Sequence, residues 1–209
     1  MALQQTSSGG RGADTRRRIE LAAAERFADA GYAGTTMQAI ADSAGVHVQT
    51  IYLAYRTKAA VLAATAARLV AGDEDPAIPP RDRAWSRAIA AEQDPRAKLT
   101  LYVEQVGRVA ARITRLTDTL RAAAPSEPEA AAFLAEMERG RREGAYQLLG
   151  LLAHEGIWNT DLSADQIADV VSALASPDTL RWLTERCGWD PDAARAWTTA
   201  VLERELLAP

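Results

Sequence analysis

Residues 47–58, HVQTIYLAYRTK, place an amide, four hydroxyls, several methyls and an ammonium on what is by its spacing one short helix. None of these is an activated nucleophile, so the chemistry on offer is non-covalent recognition. Val48, Gln49 and Thr50 turn away from the apolar face marked by Val46 and Ile51. A glutamine can bond an adenine edge, and valine or threonine methyls can meet a thymine methyl in a major groove. Tyr52, Tyr55 and Lys58 then lie where hydroxyls or an ammonium could hold phosphates. For Tyr52 packing and phosphate contact are equally open readings, and one ring can do both.

Such a face must be held by other elements, and the preceding residues supply them. Thr35 followed by Gln38 has the spacing of a capping box that opens a helix. Met37, Ile40 and Ala41 form its buried side, and Gly45 can take the positive φ of a sharp corner. Thr36, at the positively polarised start of that helix, adds a candidate phosphate contact. Upstream, the spacing of Ile19, Ala23, Phe27 and Ala30 predicts a helix from about Asp14, with Gly31 placed to end it. The expectation is three helices, the last two meeting at a tight turn.

Composition limits the alternatives. The chain has 209 residues with formal net charge −4, yet residues 1–58 hold seven basic against five acidic side chains. A mildly basic head on an acidic body suits contact with an anionic partner through one end. Residues 1–12 lack periodicity and read as a mobile arm that could reach a minor groove through Arg11. The single cysteine, Cys187, allows no intrachain disulfide and reads as a buried structural thiol; oxidation sensing through it is the alternative. The two histidines, His47 and His154, lie in separate regions, so no metal, cofactor or catalytic grouping is expected. The longest apolar run, residues 146–153, is far shorter than the roughly 20 residues a spanning helix needs, which reads as a cytoplasmic protein without membrane contact.

The stretch GTTMQAIADSAGVHVQTIYLAYRTKAAVL resembles the N-terminal DNA-binding signature of TetR-family transcriptional regulators. The resemblance covers about Arg16 to Leu62 and implies an all-α fold: a three-helix N-terminal domain with a helix-turn-helix, then a larger helical domain that dimerises and binds an effector. It implies DNA contacts at Thr36, His47, Val48, Gln49, Thr50, Tyr52, Tyr55 and Lys58. Two positions depart from the pattern: His47, a poorer cap, stands where the family often has Ser or Thr, and Tyr52-Leu53-Ala54-Tyr55 replaces Tyr-x-His-Phe. On this reading residues 1–12 are the arm, 13–58 the DNA-binding domain and 59–209 the effector-binding and dimerisation domain.

Downstream periodicity is helical throughout. A fourth helix follows Lys58 and ends near Gly72; an acidic, proline-rich linker leads to Asp94-Pro95, which opens a long helix. Its inward positions, Leu99 to Leu120, are apolar apart from the Tyr102 hydroxyl, and a second long helix carries Phe133, Met137 and Leu148. Individually Tyr102, Phe133 and Met137 read as core; with Trp85, Val106 and Trp158 they outline a site for a mostly apolar effector. Ser163 with Gln166, and Asp190 with Pro191, open two final helices. The family pairs such helices across a homodimer, which assigns Val170, Leu174, Trp182, Trp197 and Val201 to that interface, although the tryptophans suit a core equally. A double-stranded DNA operator, a small-molecule effector and a second copy of the chain are thus the expected partners.

Overall fold

A computed structural model describes residues 7–153 and 161–207. Every regular element is helical: α1 (Ser7–Gly34), α2 (Met37–Ala44), α3 (Val48–Tyr55), α4 (Lys58–Ala71), α5 (Ala84–Ala91), α6 (Pro95–Ala123), α7 (Pro128–Ala153), α8 (Ala164–Leu174), α9 (Pro177–Arg181) and α10 (Pro191–Leu206), with one π-helical turn at Trp182–Arg186. No helix among the described residues is long and apolar enough to cross a membrane. Two compact units divide the chain. One holds the described residues up to Pro76 with Arg115–Leu134, the other Ala77–Thr114 with the described residues from Ala135 on. The fourth helix, α4, therefore lies in the first unit, and α6 and α7 each belong to both.

The first unit is built on α1, whose Ile19, Ala23 and Phe27 are buried as their spacing requires. The helix starts at Ser7, seven residues before the expected start, so part of the supposed arm is helical; residues 1–6 lie outside the described region. Gly31 (φ 74°, ψ 169°) breaks the helix as expected, but one further turn to Gly34 follows the kink. That turn buries Tyr32 against Phe27, ring centroids 5.6 Å apart. The capping residue of α2 is Thr36, not Thr35: the Thr36 hydroxyl accepts from the Ala39 amide at 3.1 Å. Thr35 is buried and its hydroxyl donates to the carbonyls of Gly31 and Arg26, while Gln38 bonds Asp42.

Gly45 closes α2 at φ 63°, ψ 43°, the left-handed conformation the corner needs. Gly45→Ala should cost about 1 kcal/mol in this conformation, read as a lower thermal midpoint with the helix content unchanged.

In the second unit one core joins Leu99, Tyr102 and Val103 of α6 to Leu148 and Leu152 of α7, Val171 of α8, and Leu202 and Leu206 of α10. The capping box at Ser163 and Gln166 and the Asp190 cap form as their spacing predicts. Between the expected linker and α6 lies α5, an eight-residue helix the sequence did not announce; no side chain caps it and Ile89 is its buried anchor. Cys187 is exposed, against the expectation of burial: the π-helical turn displaces the chain and leaves the thiol just past its end.

Candidate nucleic-acid interface

Helix α3 is held by one fully buried side chain, Ile51, which sets which residues face out. Gln49, Tyr52, Leu53 and Arg56 are exposed, Tyr52 at 51% and Leu53 at 87%. Their spacing of three, four and seven residues puts them on one stripe of the helix. Val48 and Thr50 are half-buried. Consecutive residues are about 100° apart, so 48, 49 and 50 cannot share one outward line, and Gln49 is the one at its centre. The sequence puts Leu53 on the outward side without giving it a contact and does not single out Arg56; extending the spacing of Gln49 along the helix would have found both. His47 precedes α3 with no side-chain cap bond, as its type predicts, and Thr36 is exposed at the start of α2.

Two expected phosphate contacts are engaged inside the protein. The Tyr55 hydroxyl donates to Glu20 Oε1 at 3.0 Å, so its single proton is spent. The same carboxylate accepts from Arg68 Nε of α4 at 2.9 Å. Burial, then the Glu20 charge, pushes the Tyr55 phenol well above its usual range. Lys58 Nζ donates to the Tyr32 carbonyl at 2.8 Å and sits 4.2 Å from the centre of the Tyr32 ring. An ammonium has three donors, so this contact leaves others for an outside anion. Tyr32, also missed, joins these parts: its hydroxyl donates to Glu129 of α7 at 2.9 Å.

Between α3 and α4, Arg56 has φ 65° and ψ −45°, the one positive φ at a non-glycine among the described residues. The Thr57 amide closes back to the Tyr55 carbonyl at 2.7 Å, a tight three-residue turn that strains an L-residue. Arg56→Gly should therefore stabilise the fold by about 1 kcal/mol while removing a cation from the exposed stripe. The expected pair of readings is a higher thermal midpoint with weaker DNA binding and a shallower salt slope; unchanged binding would remove Arg56 from the interface.

The effector candidates are only partly gathered. Trp85 and Tyr102 line a cavity of about 20 Å³ together with Ile89, Leu148 and Leu151, and Val106 packs on the same core. Met137 is half-buried and outside that lining, Phe133 belongs to the first unit, and Trp158 lies outside the described residues. The inward side of α6 is less apolar than expected, with Lys98 and Gln105 buried. A larger open groove between α6 and α10 is lined by charges paired on the same helix, Arg108 with Glu104 and Arg195 with Asp192. Of the dimer candidates, Val170, Leu174 and Val201 are half-buried; Trp182 and Trp197 are exposed, and Trp197 meets Trp189 edge to face.

Residues 20–65 match the family model described as bacterial regulatory proteins, tetR family. Over that segment the chain carries the tetR-type N-terminal domain. The matched segment runs from α1 into α4 and contains the whole helix-turn-helix. Solved structures agree on the fold over nearly the full chain. A putative TetR-family transcriptional regulator from a Rhodococcus species is 21% identical, covers 92% of this chain and 99% of its own, and superposes with a TM-score of 0.67. The repressor NalD of Pseudomonas aeruginosa is 21% identical over 94% of this chain and 98% of its own, with a TM-score of 0.68. A putative regulator from Saccharomonospora viridis in complex with choline is 19% identical over 94% and 99%, also with a TM-score of 0.68. No curated protein matches the chain significantly. The tetR-type segment thus sits at the N-terminal end of an all-helical fold shared with these structures.

Proposed function

We propose that the protein is a dimeric, cytoplasmic repressor that reads an operator through α3 and is released from it by a small molecule. The observation that carries this is the exposed stripe of Gln49, Tyr52, Leu53 and Arg56 on α3, with Thr36 exposed at the start of α2. Gln49 reads a base edge and Leu53 a methyl, with Val48 and Thr50 flanking them; Thr36, Tyr52, Arg56 and Lys58 hold phosphates. Residues 13–58 recognise DNA, and 59–209 sense the effector and dimerise. Partly exposed apolar side chains on α8 and α10, with Trp182 and Trp197, support a second copy as the dimer partner. Two α3 helices on one face of B-DNA must lie about 34–36 Å apart, or a multiple of that. NalD, a repressor, and the choline complex of another neighbour support the repressing sign and the small-molecule control.

Release requires only that the effector bind the DNA-incompetent state more tightly. The cavity at Trp85 and Tyr102 has room for about one water, so a ligand must open it, and lightly anchored α5 is the wall that yields. Movement of α6 and α7 reaches the head through Glu129 and Tyr32 to Lys58.

Selection of bound sequences from a random DNA pool tests the reading. Gln49→Ala should cost about 1–3 kcal/mol and relax preference at one base position. Lys58→Ala should weaken all sequences alike and make the salt slope shallower by about one unit. Uniform losses from both variants would overturn the division between base and phosphate contacts, and a monomer in sedimentation at micromolar concentration would overturn the dimer.

A further inference from the structure

The geometry points to an organic anion as the effector: a mostly apolar body whose carboxylate or similar acid group is received by Trp85, Tyr102 and Arg141. This inference rests on the regulator reading and adds the charge of the ligand. Three helices contribute one donor each. Trp85 of α5 lines the cavity, and its indole N–H is buried without an acceptor among the described residues. Tyr102 of α6 lines it too, with its hydroxyl 3.9 Å from where a side chain at Gly144 of α7 would begin. Arg141 stands one helical turn before the lining residue Gly144; its Nε is buried without a partner among the described residues, while its outer nitrogen reaches the exposed carboxylate of Glu138 at 3.3 Å.

These groups share a sign. Indole and guanidinium nitrogens can donate only, so what satisfies them is an acceptor. Among the described residues no acidic side chain lines the cavity. Buried donors without acceptors, set beside apolar walls, favour an anion over a cation of the same shape. Burial pushes the Tyr102 phenol up to about 12 against the opposing Arg141 charge, so it stays protonated and can donate. Ile89 and Leu148 leave the rest of the wall apolar, which fits a ring or chain behind the acid group.

Three probes with one ring body separate the cases: naphthalene-2-carboxylate, its methyl ester and naphthalen-2-ylmethylamine, each titrated calorimetrically into the full-length protein without DNA. The carboxylate should bind at least about tenfold more tightly than the ester or the amine, the scale of one charge-assisted hydrogen bond. Arg141→Met should remove most of that preference and leave the ester within about twofold, with Trp85→Phe doing so in part and Arg141→Lys retaining some of it. Equal or tighter binding of the ester or amine, binding by none of the three, or a preference that survives Arg141→Met would each overturn the inference. DNA release is measured separately. Anion binding without release would keep the site and overturn the regulator reading.

Discussion

Replacing Arg68 with methionine is expected to destabilise the protein by about 3 kcal/mol or more, the scale for removing one partner of a buried ion pair. Glu20 is only 6% exposed, so its carboxylate has little water to fall back on. Its two donors come from different helices, Arg68 of α4 and Tyr55 of α3. Methionine keeps much of the arginine stem's apolar packing, so the loss reports chiefly on the stranded charge. Adding Glu20→Gln to Arg68→Met should recover part of it, because the double variant no longer buries an unpaired anion. DNA affinity should fall too, since Tyr55 ends the recognition helix, while the salt slope should stay unchanged because no phosphate contact is removed. Urea midpoints with unchanged m-values check the first point and a salt titration the second. A loss below about 1 kcal/mol would rank the pair with exposed ion pairs and overturn the argument.

What the sequence disclosed follows from how far each physical signal reaches. Periodicity over many turns located α6 and α7, and cap chemistry placed the starts of α8 and α10. The same rules misplaced the α2 cap by one residue, because Thr35 and Thr36 are chemically equal and burial of Thr35 against α1 decides between them. Helix α5 was illegible: eight residues offer barely two turns of pattern and no side-chain cap. On the recognition helix, residue types identified the chemistry, but Ile51 alone fixes the rotation that exposes Leu53 and half-buries Thr50. The partners of Tyr55 and Lys58 were beyond reach for a different reason. Glu20 is 35 positions from Tyr55, and the Tyr32 carbonyl that holds Lys58 is 26 away, so only tertiary packing brings them together.

Above pH 10 the protein is expected to lose stability by up to about 4 kcal/mol per pH unit, at about 1.4 kcal/mol for each of three tyrosines. Burial raises Tyr32, Tyr55 and Tyr102, reinforced by Glu129 at Tyr32 and by Glu20 at Tyr55. In the unfolded chain each phenol ionises near pH 10. Tyr102 holds its proton to about 12, and Tyr32 and Tyr55 are raised in the same direction. Between pH 10 and 12 the folded state therefore binds more protons than the unfolded state, and stability falls as pH rises; below pH 10 both states are protonated and these groups give no slope. Tyr55→Phe should lower stability at neutral pH, because a hydrogen bond to a carboxylate is lost, and should flatten the alkaline slope by about a third. Denaturant midpoints at pH 8, 10 and 11 measure both effects. Constant stability from pH 10 to 11 would mean that the three phenols ionise in the folded protein as readily as in the unfolded chain, and would overturn the argument.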